Sequence, residues 1–249
     1  MDKAFAAEYA ALEERHWWFR ARRRILGDLL SRLPWPSQPF ILEIGTGPGF
    51  NLRTLYPKDA RLRGVEPEPD NARLAGANSG VRVDVATAEN LPPDLLPSSL
   101  DAITYFDVLE HLDDPVSALI QAVRLLKPGG WVVATVPAYQ WMWGRQDEAS
   151  FHRRRYARGL LLAQLAAAGL EPERCTYFNA LLFLPVALFR LAARLRRAPR
   201  EAGASDFGYP PGPINAALER VFGFEAVLLR RLNFPFGVSI FAVARKPGA

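Results

Sequence analysis

Gly45, Gly47 and Gly49, in LEIGTGPGF, follow directly on an apolar run that reads as a buried strand. Glycines in such a turn let the backbone approach a ligand, and the helix that follows presents free amide N–H groups. The spacing is G-x-G-x-G, not the G-x-G-x-x-G of dinucleotide binders. Two carboxylates flank the turn. Glu66 ends the next strand, where a carboxylate can accept hydrogen bonds from both hydroxyls of a ribose. Glu43 lies inside the first strand, where a carboxylate is costly without partners. It suits a cationic ligand, or it orders amides and water around one. A tight turn with no ligand is the plainer alternative.

Groups able to move a proton are few, with three histidines in the chain. His16 opens HWWFRARRRIL, beside Trp17 and Trp18. His111 lies in VLEHL, where a general base competes with a helix-start or pocket-lining role, and Glu110 shares that ambiguity. His152 lies in DEASFHRRRY, which brings Asp147, Arg154, Arg155 and Tyr156 together with it. Two arginines there could clamp a carboxylate or phosphate. A solvated charged loop is the alternative.

Elements must hold these groups in place. Phe40–Gly45, Leu62–Pro67, Val81–Ala86, Leu100–Phe106 and Gly130–Pro137 read as buried strands, with helical segments between them. Strands alternating with helices imply a parallel sheet covered on both faces. Asp113 or Asp114 caps the helix before the fifth strand, and KPGG ends it. RCTYF and GVSIFAVARK supply two more strands, with a helix over about 159–168 before the first of them. Phe5, Tyr9, Leu12, His16 and Phe19 share one face of an N-terminal helix. By this reading residues 1–36 are a helical cap, 37–178 a core, 179–236 a helical insertion and 237–249 the last strand, all in one domain.

Composition narrows the function. The chain has 249 residues, is 49% hydrophobic and carries a net charge of +5, mostly through arginine. One cysteine excludes an internal disulfide and fits a reducing, cytoplasmic compartment. Met1–Ala10 has no apolar core of a leader.

Taken in order, ILEIGTGPGF, GVEPEPDNARLA, ATAENLP, LDAITYFDVLEHLDDPVSAL and RLLKPGGWVVATVP resemble the motifs of the class I S-adenosylmethionine-dependent methyltransferases. HWWFRARR and the HRRRY loop are similar to a bacterial subgroup near the ubiquinone-type O-methyltransferases. The resemblance implies an α/β, Rossmann-like sheet of order 3-2-1-4-5-7-6 with the seventh strand antiparallel. It implies S-adenosylmethionine as cofactor, with S-adenosylhomocysteine as product. Glu43, Gly45, Thr46, Gly47 and Gly49 would surround the methionine part, and Glu66 would hold the ribose, with Pro67 near the adenine. Thr87, Ala88 and Glu89 would line the adenine pocket. Thr87 replaces the family's usual aspartate there. Phe106, Asp107 and His111 would face the methionine end. His16, His111, His152 and Tyr156 are then the catalytic candidates. Trp17, Trp18, Trp141, Arg154 and Arg155 are candidates for acceptor binding. No metal is expected. The N-terminal helix would close the pocket, with Arg22 to Arg24 mostly at the surface.

NALLFLPVALFRLAARLRRAPR joins a wide apolar face to several arginines. It reads as a pocket cover or dimer contact, as a helix on an anionic membrane face near a lipid-linked substrate, or as plain packing. The expected activity is methyl transfer to a small-molecule or lipid-linked acceptor, at oxygen, by a monomer or homodimer without nucleic acid. Alternatives are N- or C-methylation, an RNA methyltransferase, a nucleotide-dependent oxidoreductase, and a non-catalytic cofactor-binding partner.

Overall fold

The computed structural model describes residues 12–195, 210 and 212–248. Phe5, Tyr9, Arg196 and Arg197 lie outside the described residues, as does the Arg194 side chain. Seven strands form one sheet in the order β3-β2-β1-β4-β5-β7-β6, as the resemblance implies. They are β1 (Phe40–Ile44), β2 (Arg61–Glu66), β3 (Val83–Val85), β4 (Leu100–Phe106), β5 (Leu126–Pro137), β6 (Glu171–Phe178) and β7 (Ser239–Arg245). β7 runs antiparallel to both β5 and β6. The other neighbours are parallel, from Phe40 opposite Arg61 to Phe106 opposite Thr135. Strands covered on both faces cannot alternate polar and apolar, which is why FILEI and LDAITYF read as continuous apolar runs.

α1 (Trp17–Leu30) covers one face, together with α8 (Gly212–Leu228). Ile25, Leu26, Leu29 and Phe222 pack there on Ile41, Val133 and Phe241. α4 (Pro115–Leu125) and α6 (Arg158–Ala167) cover the other face, against Leu42, Ile103, Tyr105 and Val132. α2 (Phe50–Thr54) and α3 (Pro69–Ser79) follow β1 and β2, α5 (Arg145–Ala149) follows β5, and α7 (Phe183–Leu195) follows β6.

Several local expectations hold, and two change. Asp114 caps α4 by accepting from the Ser117 amide at 3.1 Å, and Pro115 occupies the first turn. Asp101 accepts from the Phe40 amide at 2.8 Å and pairs with Lys127, ordering the start of β1 and β4. KPGG, expected to separate helix from strand, lies within β5. The register shifts between Leu100 and Ala102 to absorb it. Gly129 there has φ +79°, and a Cβ on Gly130 would stand 3.0–3.1 Å from the Lys127 and Asp101 carbonyls. The N-terminal helix is not continuous either: residues 12–15 are helical, His16 is extended, and a new helix starts at Trp17.

Candidate active site at the carboxyl edge of the sheet

The glycine turn after β1 holds Gly45, Gly47 and Gly49 at φ +74°, +51° and +85°. Only glycine adopts this left-handed region three times without strain. At Gly49 a Cβ would stand 2.7 Å from the Ala75 backbone, so glycine lets α2 and α3 approach. At Gly47 a Cβ would meet nothing within 4 Å, which leaves open space beside the turn. Glu66 ends β2 facing that turn, and its Oε2 accepts from the Gly47 amide at 2.8 Å. Burial raises its pKa, opposed by backbone hydrogen bonds from Gly47 and Glu68. A ribose diol that donates to this carboxylate would supply the partners it lost to burial. Pro67 is exposed next to it.

Glu43 is fully buried. The Tyr56 hydroxyl donates to its Oε2 and lies 2.7 Å from the Thr104 hydroxyl, while Oε1 has no partner. Burial drives the Glu43 pKa up to about 8. Thr46, in the same turn, also has a buried hydroxyl without a partner. Such orphaned polar atoms are costly, and a bound ligand or water satisfies them. In the loop after β3, Ala88 is buried while Thr87 and Glu89 are exposed. The Thr87 hydroxyl accepts from the Asn90 amide at 3.2 Å, and Gln121 of α4 holds the Glu89 carbonyl.

β4 ends at Phe106. Asp107 follows at φ +58°, an unusual backbone for a residue with a side chain. Its Oδ1 accepts from Thr135 at 3.0 Å, and its Oδ2 pairs with Arg22 at 2.8 Å. Arg22 thus departs from expectation. It is buried, donates to Thr135 and lies over Trp18 and Phe106, with its Nε unpartnered. Its sequence signal was the spacing Arg22, Ile25, Leu26, Leu29, which is the buried stripe of α1. Arg23 is half-buried beside Glu13 and over Phe50, and Arg24 is exposed.

His16 is buried, as its position predicts, and caps α1 by accepting at Nδ1 from the Trp18 amide, 3.2 Å away. Trp17 packs on Phe222 of α8 and Trp18 on Phe19 of its own helix, and both remain partly exposed. Trp141 is exposed and stacks on Tyr139, which stacks in turn on Tyr177.

His111 and His152 meet edge to face, with ring centres 4.7 Å apart. Burial and His152 push the His111 pKa down to about 4. Asp147 is fully buried, and its Oδ1 contacts His152 Nδ1 at 2.9 Å and accepts from Arg155 Nε at 2.7 Å. Those two partners outweigh burial and hold its pKa at about 2. An ionised Asp147 accepts only, so the proton sits on His152 Nδ1 and Nε2 is left as the basic nitrogen. Glu110 is buried with both carboxylate oxygens unpartnered, and burial together with Asp107 raises its pKa well above the usual range.

The other members of this loop do structural tasks. Arg155 is buried between Asp147 and the Ala138 carbonyl, and Arg154 donates to the Leu112 and Asp113 carbonyls. The expected anion clamp therefore meets two guanidiniums already occupied with the protein itself. Tyr156 is buried and donates to the Leu109 carbonyl at 3.2 Å, and burial raises its pKa. Neither Tyr56 nor Thr104 has a local sequence signal, because Tyr56 reaches Glu43 from the loop after α2 and Thr104 lies opposite Glu43 on the neighbouring strand.

Residues 18–181 match the family Methyltransf_23, a methyltransferase domain. The chain is 32% identical over 144 residues to the ubiquinone biosynthesis O-methyltransferase of Pseudomonas aeruginosa strain UCBPP-PA14, covering 53% of this chain and 62% of that protein. The match thus spans about three fifths of that relative's length. Among solved structures, geranyl diphosphate methyltransferase in complex with S-adenosylmethionine superposes with a TM-score of 0.60 at 16% identity, over 98% of this chain and 91% of that one. The cyclase SpnF superposes with a TM-score of 0.60 at 24% identity, over 93% and 83%. These two likenesses concern the fold. With the family match over residues 18–181, the sheet order and the glycine and Glu66 cradle, the protein belongs to the class I S-adenosylmethionine-dependent methyltransferases.

Proposed function

We propose that this chain transfers a methyl group from S-adenosylmethionine to an oxygen atom of a small-molecule acceptor, with His152 as general base. The observation that carries the reading is the Asp147–His152–His111 cluster. A buried carboxylate fixes the His152 tautomer, and the ring meets His111, four residues past Asp107 at the end of β4. A hydroxyl attacks well only as it loses its proton, whereas a neutral amine attacks through its lone pair without such a base. Similarity to a protein named for O-methylation supports the same choice.

When bound, S-adenosylmethionine supplies a methyl on a sulfonium whose leaving group is neutral. The chain's part is therefore mainly positioning and exclusion of water. Gly45, Gly47 and Gly49 let the backbone approach the ligand, and Glu66 receives its ribose hydroxyls. The Arg22–Asp107 pair presents one cation and one anion, which complements the carboxylate and ammonium of a methionine. Trp17, Trp18 and Trp141 supply apolar walls around the acceptor. His152 Nε2 takes the acceptor's proton as the oxygen attacks, and Asp147 stabilises the resulting imidazolium.

S-adenosylhomocysteine formation is measured over a panel of phenols, catechols and aliphatic alcohols, with amines as the contrast. Hydroxyl acceptors are expected to turn over. Asp147→Asn and His152→Ala are each expected to lower kcat about a hundredfold, with S-adenosylhomocysteine affinity within about twofold of wild type. Each assay is repeated with a chelator, because Glu110, His111 and His152 bring one candidate ligand atom each within 4.8 Å of one another. Unchanged rates are expected. Amine-only turnover, or full activity in His152→Ala, would refute the assignment.

A further inference from the structure

We propose that the outward face of α7 is a docking surface for an anionic lipid bilayer. Surface helices ordinarily turn polar residues to solvent. On α7 the exposed positions among those described are Leu184, Pro185, Leu188, Phe189, Leu191 and Ala192, all apolar. At 100° per residue they span an arc of ~160°. Leu184 is 65% exposed and Phe189 61%, so these are not rim residues of a core. Phe183, Val186, Ala187 and Arg190 occupy the opposite, half-buried side.

Among the described residues, the N-terminal end of the helix is held by groups beside the proposed acceptor site. Glu225 of α8 accepts from the Asn179 and Leu181 amides just before it. Phe183 meets Tyr139, Trp141 and Phe236. The apolar arc therefore starts at the proposed acceptor wall and runs outward from it.

Charge decides the occupant. Between Asn179 and Arg200 the sequence has five arginines and no acidic residue. A second copy of the chain would add a second segment of the same positive charge, which is unfavourable. An anionic membrane suits both features: apolar side chains enter the acyl boundary, and the segment's positive charge complements lipid phosphates. Among the described residues no helix is long and apolar enough to cross a membrane, so α7 would lie in the plane of the interface. Docked this way, the site mouth faces the lipid surface, and an apolar acceptor reaches it without crossing water.

The whole chain is sedimented with vesicles of phosphatidylcholine alone and of phosphatidylcholine with about a quarter phosphatidylglycerol. It is expected to pellet with the anionic vesicles only, and to be released at about 0.5 M salt. The triple variant Leu184→Ser, Leu188→Ser, Phe189→Ser is expected to lose vesicle affinity about tenfold or more. Its S-adenosylhomocysteine affinity should match wild type, which separates a surface effect from misfolding, and single Phe189→Ser serves if the triple variant does not fold. Three results would overturn the proposal: no anionic pelleting above the phosphatidylcholine baseline, equal pelleting of the variants, or a wild-type dimer in solution that the substitutions split. The readout is lipid binding, so failure of the methyl-transfer reading leaves it intact.

Discussion

Arg22 stands among Arg20, Arg23 and Arg24, in a run that reads as solvated cations. Charge alone does not distinguish it, but helical phase does, and phase carries it into contact with Asp107 and Thr135. Arg22 is buried but the Asp107 side chain is 29% exposed, so water reaches the carboxylate that a lost guanidinium would leave. Arg22→Gln is expected to lower stability by about 1–3 kcal/mol through its lost charged hydrogen bonds. Its double-mutant cycle with Asp107→Asn is expected to show coupling above ~1 kcal/mol. Chemical denaturation of the four proteins measures both, and additive losses would mean that the contact carries no weight. The placement of Glu66 beside the glycine turn was legible because it is local, a strand end and a turn. Glu43's surroundings were not, since Tyr56 reaches it from the loop after α2 and Thr104 from the neighbouring strand.

Alternation of apolar runs with helical segments revealed the parallel sheet, and the strand ends agree with it closely. What the pattern missed was local interruption. His16 breaks a continuous apolar phase because its ring caps the next helix. KPGG remains in β5 because glycine lets the strand bulge against Asp101. Gly49, at the N-cap of α2, sets its close packing against Ala75 of α3. Gly49→Ala places a methyl against the Ala75 backbone at a positive φ. It is expected to lower stability by about 2–4 kcal/mol and to abolish saturable S-adenosylhomocysteine binding at micromolar concentrations. A thermal scan with and without ligand reads both effects, and an unchanged scan would contradict the close packing.

Buried carboxyls shape the behaviour of the molecule as a whole. Burial is the first cause of raised pKa at Glu13 and Glu225, to about 7, and at Glu43, to about 8, from 4.5. Native protein therefore binds more protons than unfolded chain between those limits, and stability falls as pH rises through them. These groups contribute fully below pH 4.5, and their contribution is lost by about pH 8. The thermal midpoint of ligand-free protein is expected to decline from about pH 5 to about pH 8, and Glu225→Gln to flatten that slope. A rising midpoint over the same window would reverse the sign. Fold and cofactor cradle were legible because both are written in contiguous motifs. The aromatic cluster behind Trp141, which the proposed acceptor site uses, was only partly so, since Tyr139, Tyr177 and Phe183 converge from three distant segments.

Calorimetric titration of S-adenosylhomocysteine into wild type and Glu66→Ala, with NAD as the contrast, tests the central claim most directly. One-site micromolar binding to wild type, at least tenfold weaker in Glu66→Ala, and no heat with NAD are the predicted results. Equal affinity in the variant, or preference for NAD, would contradict the cradle described around Gly47 and Glu66.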